Sequence, residues 1–193
     1  MTTLNDPLVQ AAAEFARAAH AGVGQKHRYT GEPYAVHLET VAGIVAEVTD
    51  DPEVVAVAWL HDTVEDTKTE VEEISENFGT RVARLVDDLT DVSRPEDSHR
   101  KGRKNRDRTH LSNALPAAQT VKLADLIDNA LSISAHDPSF ARIYLDKMEE
   151  LLTVLSKGDA GLQKRARVTL EECRQMVSVE GKDAAKVAEQ IGG

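Results

Sequence analysis

The sequence predicts an all-α protein, a single-domain bundle of roughly 8–10 helices, on three observations. Apolar residues recur at three- and four-residue spacing along almost the whole chain. No stretch of useful length alternates apolar and polar residues as a half-buried strand does. The punctuation is that of helices, with Asp-Pro before a run and glycine after it. With 193 residues, 41% of them hydrophobic, the chain can bury one real core and does not read as disordered. The expected division is a domain over 1–179 and a helical C-terminal tail over 180–193.

Asn5-Asp6-Pro7 caps and starts a helix running to about His20. A loop punctuated by Gly22, Gly24, Gly31 and Pro33 follows. Val36 to Val48 places apolar residues at 38, 41, 42, 44, 45 and 48, one helix face. Asp51-Pro52 opens the next helix, expected to reach about Val64. Its interior, Val54 to Leu60, is apolar nearly all round, as a central buried helix is. Short helices are expected over 70–77 and 80–89, with Gly79 turning the chain between them. The polar segment 92–112 reads as part loop and part helix. Helices follow over 114–134, 138–157 and 160–179, and a last amphipathic one over 182–191.

Composition excludes several classes. No apolar run approaches the roughly 18–20 residues that cross a bilayer. The N-terminus lacks the charged and apolar regions of a secretion signal. Cys173 is the one cysteine, so neither a disulfide framework nor a Cys-rich zinc site can form, and a reducing cytoplasm is the expected home. A net charge of −10 argues against nucleic acid or an anionic membrane as partner. Monomer and homodimer both stay open. One segment runs against the acidity: His99 to His110 carries Arg100, Lys101, Arg103, Lys104, Arg106 and Arg108 against a single acid, Asp107. Such a run is an ordinary solvated face, or it faces a polyanion whose phosphate oxygens match arginine forks.

Chemistry concentrates in His61-Asp62-Thr63-Val64-Glu65-Asp66-Thr67 and Val121-Lys122-Leu123-Ala124-Asp125. On a continuous helix, positions 61 and 65 are neighbours, as are 62 and 66, so one strip gathers an imidazole and three carboxylates. That clustering is costly without a cation. Asp125 sits among Val121, Leu123, Ala124, Leu126 and Ile127, and a carboxylate near a buried face needs a partner. Lys122 supplies one at helical spacing; a metal ion is the other candidate. Adding His37 completes a divalent-metal site, which points to a metal-dependent phosphohydrolase. His20, His27, His99, His110 and His136 read as ordinary surface or hydrogen-bonded histidines.

His37, His61-Asp62 and Asp125 in this order resemble the HD metal-hydrolase superfamily. The resemblance is closer to RelA/SpoT-type alarmone hydrolases. It is carried by Gly24-Gln25 with Arg28 to His37, by residues 61–67, by Phe78-Gly79 with Leu85 to Thr90, and by Val121 to Asp125 with Asn129. These motifs span residues 11–157 and leave room for no synthetase or regulatory domain, so the chain resembles a stand-alone small alarmone hydrolase of the metazoan SpoT-homologue kind. The resemblance implies an HD-superfamily helical bundle. It implies that His37, His61, Asp62 and Asp125 hold one manganese ion. It implies that Glu65 and Asp66 position and deprotonate water. Arg28 would lie against the nucleobase, Asn129 would contact the ribose, and Arg142 aligns with a phosphate-contacting arginine. Arg100, Lys101 and Arg103 occupy the place where the family grips the diphosphate.

The implied substrate is a nucleotide with a 3′-diphosphate, (p)ppGpp or (p)ppApp, cleaved to pyrophosphate and a nucleoside 5′-di- or triphosphate. The chain departs from the family in extra residues between His20 and Arg28, in Tyr29 for lysine or serine, in Leu38 for proline and in Asp91 for lysine. The departures at Arg28–Tyr29 leave guanine and adenine both open as the base. Two other readings stand beside this one. One is a different HD phosphohydrolase, acting on a nucleotide or a phosphorylated dinucleotide cofactor. The other is a catalytically silent nucleotide-binding protein, against which the Glu65-Asp66 pair argues.

Overall fold

Three Asp-Pro junctions start three of the helices, and the aspartates do the capping. Asp6 accepts from the Leu8 amide, Asp51 from Glu53 and Asp137 from Phe140. Each cap satisfies a backbone donor that the helix itself cannot, worth about 1 kcal/mol. The computed structural model describes residues 3–191 except 95, 96 and 98, with side chains described as far as 179. Among the described residues, a 3-10 turn at Thr3–Asn5 precedes ten α-helical segments. They are α1 (Pro7–Gly22), α2 (Ala35–Ala46), α3 (Pro52–Leu60), α4 (Thr63–Asp66), α5 (Val71–Phe78), α6 (Thr80–Asp87), α7 (Arg100–Asn113), α8 (Pro116–His136), α9 (Pro138–Leu152) and α10 (Ala160–Ile191). There is no strand among them, only an isolated antiparallel bridge between Lys26 and Pro33. No described helix is long and apolar enough to cross a membrane.

The all-apolar α3 is central, as its composition requires. Val54 through Leu60 are all buried. It packs against α1, α2, α6 and α8, and α8 in turn packs against α2, α9 and α10. The site is therefore floored by α2, α3 and α8, which pack on one another.

Three boundaries differ from the sequence reading, and the part-loop, part-helix reading of 92–112 holds. The third helix stops at Leu60, not Val64, and a turn at His61–Asp62 leads into the single turn of α4. Side chains occupy the carbonyls there: Thr63 Oγ1 donates to Leu60 O at 2.6 Å, and His61 Nδ1 lies 2.9 Å from Ala58 O. Such local bonds offer the backbone an alternative to continued helix. The polar 92–112 segment resolves into a connection and a full helix, α7, which begins at Arg100. The ninth helix ends at Leu152 rather than near Lys157. The expected break near residue 180 is absent, and α10 continues through Gly181 to Ile191; an interior glycine costs a helix only about 1 kcal/mol.

Candidate active site

The turn at the end of α3 aims His61 and Asp62 into the space between α2 and α8. The first turn of α2 brings His37 to the same point, and the middle of α8 brings Asp125. His37 Nε2 lies 3.4 Å from Asp125 Oδ1 and 3.8 Å from Asp62 Oδ2. His61 Nε2 lies 3.1 Å from Asp62 Oδ2 and 3.7 Å from Asp125 Oδ1. Both Nε2 atoms are buried and neither makes a hydrogen bond. A buried nitrogen without a partner is expensive. Two of them, with a carboxylate oxygen of Asp62, lie within 4.8 Å of one another and could hold a metal ion, and Asp125 Oδ1 stands 3.4 and 3.7 Å from the two imidazoles. An ion about 2.0–2.2 Å from each donor spans donor–donor edges of about 3–3.6 Å, the range these atoms nearly occupy.

The other ring nitrogens are held in place. Nδ1 of His37 lies 2.7 Å from Asp128 Oδ2, and Nδ1 of His61 faces the Ala58 carbonyl. Each Nδ1–H donates outward, which leaves Nε2 to face the shared point. Asp125 divides its oxygens: Oδ2 pairs with Lys122 Nζ at 2.7 Å, while Oδ1 faces the histidines and accepts from Asn129 Nδ2. The lysine partner and the metal-facing oxygen are thus compatible. Tyr34 Oη donates to Asp62 Oδ2 at 2.6 Å.

Electrostatics agree with the geometry. Burial by itself would lower both imidazoles; the carboxylates of Asp125 and Asp128 reverse this at His37 and raise it to about 9. At His61, Asp62 and Asp125 overcome burial in the same way, to about 10. Burial also disfavours the Asp62 and Asp125 carboxylates, yet the histidines and, for Asp125, Lys122 hold both well below the usual range. Two imidazolium ions against two carboxylates balance in charge. So do two neutral imidazoles, two carboxylates and a dication. Protons and a divalent ion are alternative companions of the same four side chains.

Glu65 and Asp66 lie on α4, past the turn, at the lip of a cleft of about 290 Å³. Glu65 is exposed at this lip, yet partial loss of solvent around its carboxyl, then the charges of Asp91 and Asp62, push it up to about 7. The cleft is also walled by Asp91, Lys104, Asp107, Arg108, Asn129 and Lys147. Lys104 and Arg108 continue into an adjoining groove of about 580 Å³, lined by Arg100, Lys101 and Ile143. The loop before α7 is pinned to it, since Ser93 donates to Asp107 through both its amide (2.9 Å) and its hydroxyl (2.7 Å).

The sequence-derived site residues therefore divide. His37, His61, Asp62 and Asp125 converge, with Glu65, Asp66 and Asn129 lining the same cleft. Arg100 and Lys101 line the adjoining groove, whereas Arg103 turns to the Asp97 carbonyl at 3.4 Å. Arg28 lies over the rings of Tyr29 and Phe140. Arg142 lines a separate groove with Asp146 and Arg174. Sequence reading did not single out Tyr34, Asp128, Lys147 or Asp107. Helical spacing held a signal for two of them: Tyr34 precedes His37 by three residues and Asp128 follows Asp125 by three.

Residues 12–157 match the family described as HD domain. A guanosine-3′,5′-bis(diphosphate) 3′-pyrophosphohydrolase of Aquifex aeolicus is 38% identical over 125 residues, 65% of this chain and 18% of that protein. The enzyme of that description in Mus musculus, MESH1, is 35% identical over 130 residues, 66% of this chain and 70% of that protein. The chain spans 9–20% of the length of its Aquifex, Myxococcus and Synechocystis relatives. Among solved structures, a metazoan ortholog of SpoT that hydrolyzes ppGpp superposes with a TM-score of 0.73 at 26% identity, covering 88% of this chain and 96% of that one.

Proposed function

Because the chain belongs to the HD-domain family, we propose that it hydrolyses the 3′-diphosphate of alarmone nucleotides, (p)ppGpp or (p)ppApp, with manganese as cofactor. The products would be pyrophosphate and a nucleoside 5′-di- or triphosphate. The observation that carries this reading is the pair of buried, unbonded Nε2 atoms of His37 and His61, aimed with Asp62 and Asp125 at one point beside Glu65 and Asp66. The guanosine relatives of the same description support the substrate class.

His37, His61, Asp62 and Asp125 would hold the ion, which when bound acidifies a water molecule and polarises a phosphoryl oxygen. The chain supplies the remainder. Glu65, pushed up to about 7, is a base poised near neutral pH and accepts a proton from the attacking water. Asp66, beside it, orients that water. Attack falls on the phosphorus bonded to the ribose 3′ oxygen, the P–O bond to that oxygen breaks, and the proton taken up by the acidic pair is returned to the departing 3′ oxygen. Lys104, Arg108 and Lys147 offset charge on the diphosphate as water attacks it and pyrophosphate forms. The cleft is at the small end for a nucleotide, and the basic groove that extends it accommodates a second phosphate arm.

The test is product chromatography after incubation of guanosine and adenosine tetraphosphates with the protein and manganese. Pyrophosphate and the nucleoside 5′-diphosphate are expected. Release of orthophosphate without pyrophosphate would transfer the chain to another class of phosphohydrolase. No turnover of either nucleotide would end the proposal.

A further inference from the structure

Gln25 lies in the first of the sequence motifs, and His20 precedes it by five residues. Neither belongs to the metal set or to the water-handling pair. Yet the two form a chain of hydrogen bonds that ends on Asp66. Gln25 Nε2 donates to Asp66 Oδ2 at 2.8 Å. Gln25 Oε1 lies 2.6 Å from His20 Nδ1. A carboxylate can only accept, so the amide NH₂ must face Asp66 and the amide oxygen must face the imidazole. His20 is thereby fixed as the Nδ1–H tautomer. The direction of every donor in the chain follows from the acid at its end.

The chain is held from both sides. The Gln25 amide donates to the His20 carbonyl at 3.0 Å, and Gly24, with φ at +68°, makes the turn that lets residue 25 fold back. His20 is buried, and its ring packs on that of Tyr34 with centroids 4.9 Å apart. Tyr34 is the residue whose hydroxyl donates to Asp62. One buried imidazole thus braces a metal-side residue and a water-side residue together. Asp66 itself sits at an exposed lip on a single-turn helix, a place where a carboxylate would otherwise rotate freely.

We infer that Gln25, backed by His20, is a positioning residue for Asp66: its amide anchors Oδ2, so that Oδ1 stays free and aimed to accept a hydrogen bond from the attacking water. The inference rests on the hydrolase reading above and deepens it. It assigns a task to a motif residue whose side chain bonds to His20 and Asp66.

The experiment is steady-state hydrolysis of guanosine tetraphosphate with manganese, for Gln25→Ala and Gln25→Glu, each also combined with Asp66→Asn. Losing a hydrogen bond to a charged group is expected to lower kcat about 10- to 100-fold, with KM and manganese affinity unchanged. In the Asp66→Asn background the same substitutions should cost less than about 2-fold, because the group they position is already gone. Gln25→Glu keeps the length of the side chain, replaces the donor by an acceptor and sets a second carboxylate against Asp66, so it reports even where Gln25→Ala fails to fold. His20→Asn, which keeps a donor close to Nδ1, should retain more activity than His20→Leu. An equal loss of kcat with and without Asp66, or full kcat in Gln25→Glu, would overturn the inference. A wild-type protein that releases no pyrophosphate would instead refute the hydrolase reading itself.

Discussion

Loading the metal must expel protons, and the structure sets how many. At neutral pH both His37 and His61 carry a proton in the metal-free protein, since their neighbours hold them up to about 9 and about 10. Imidazole binds a cation only when neutral. Each manganese ion taken up near pH 7 should therefore release about two protons, and affinity should rise up to about 100-fold per pH unit between pH 6 and 8. Calorimetric titration of the apo-protein in buffers of different ionisation enthalpy counts those protons directly. Asp62→Ala removes the carboxylate 3.1 Å from His61 Nε2. It should weaken binding and cut the protons released, because His61 loses its nearest anion. Stability follows the same linkage. Both folded values lie above the ordinary 6.5, so their stabilisation of the apo-protein is complete below that pH and is lost as pH rises through 9 and 10. Manganese should thus protect against unfolding most strongly in alkaline buffer. Affinity that stays flat from pH 6 to 8, or a full metal content in Asp62→Ala by elemental analysis, would refute the assignment of these residues as ligands.

Glu65→Gln should keep the fold and the metal while lowering kcat by at least about 100-fold, the usual worth of a positioned acid–base group; near-normal turnover would move the proton to another side chain. Asp91→Asn should move the acid limb of the kcat–pH profile to lower pH, by removing an anion that raises Glu65. Lys104→Ala with Arg108→Ala should raise KM more than the triple replacement of Arg100, Lys101 and Arg103 by alanine, because Lys104 and Arg108 line both cleft and groove; the effect should shrink above about 0.1 M salt. Gly158→Ala should lower stability by about 1–3 kcal/mol, read as a fall in Tm of about 2–4 °C per kcal/mol, since its new Cβ would lie 2.8 Å from Leu123 Cδ1 and 3.1 Å from the α8 backbone.

The sequence by itself determined the helical class and the central position of α3, and it named four of the side chains that meet between α2, α3 and α8. Apolar periodicity, Asp-Pro caps and the run from Val54 to Leu60 are local patterns, and they act wherever the chain is placed. It also placed Asp125 on a buried face, because the apolar residues around it are neighbours in sequence. What it misjudged depended on competition between local and distant bonds. A helix expected to run through His61 to Val64 ends at Leu60, because the Thr63 hydroxyl and the His61 ring reach carbonyls of the preceding turn. The strip of four side chains drawn on one helix is in fact two groups, His61 and Asp62 in that turn and Glu65 and Asp66 on α4 after it. The convergence of His37 with Asp128 across 91 residues is decided by how α2 packs on α8, and that of Gln25 with Asp66 across 41 by how α1 packs on α3 and α4. So is the division of the basic run, where Lys104 and Arg108 face the cleft and Arg103 turns to Asp97. A charge count along a helix gives the number of cations available to a polyanion. Only the packing of that helix decides which of them point at it.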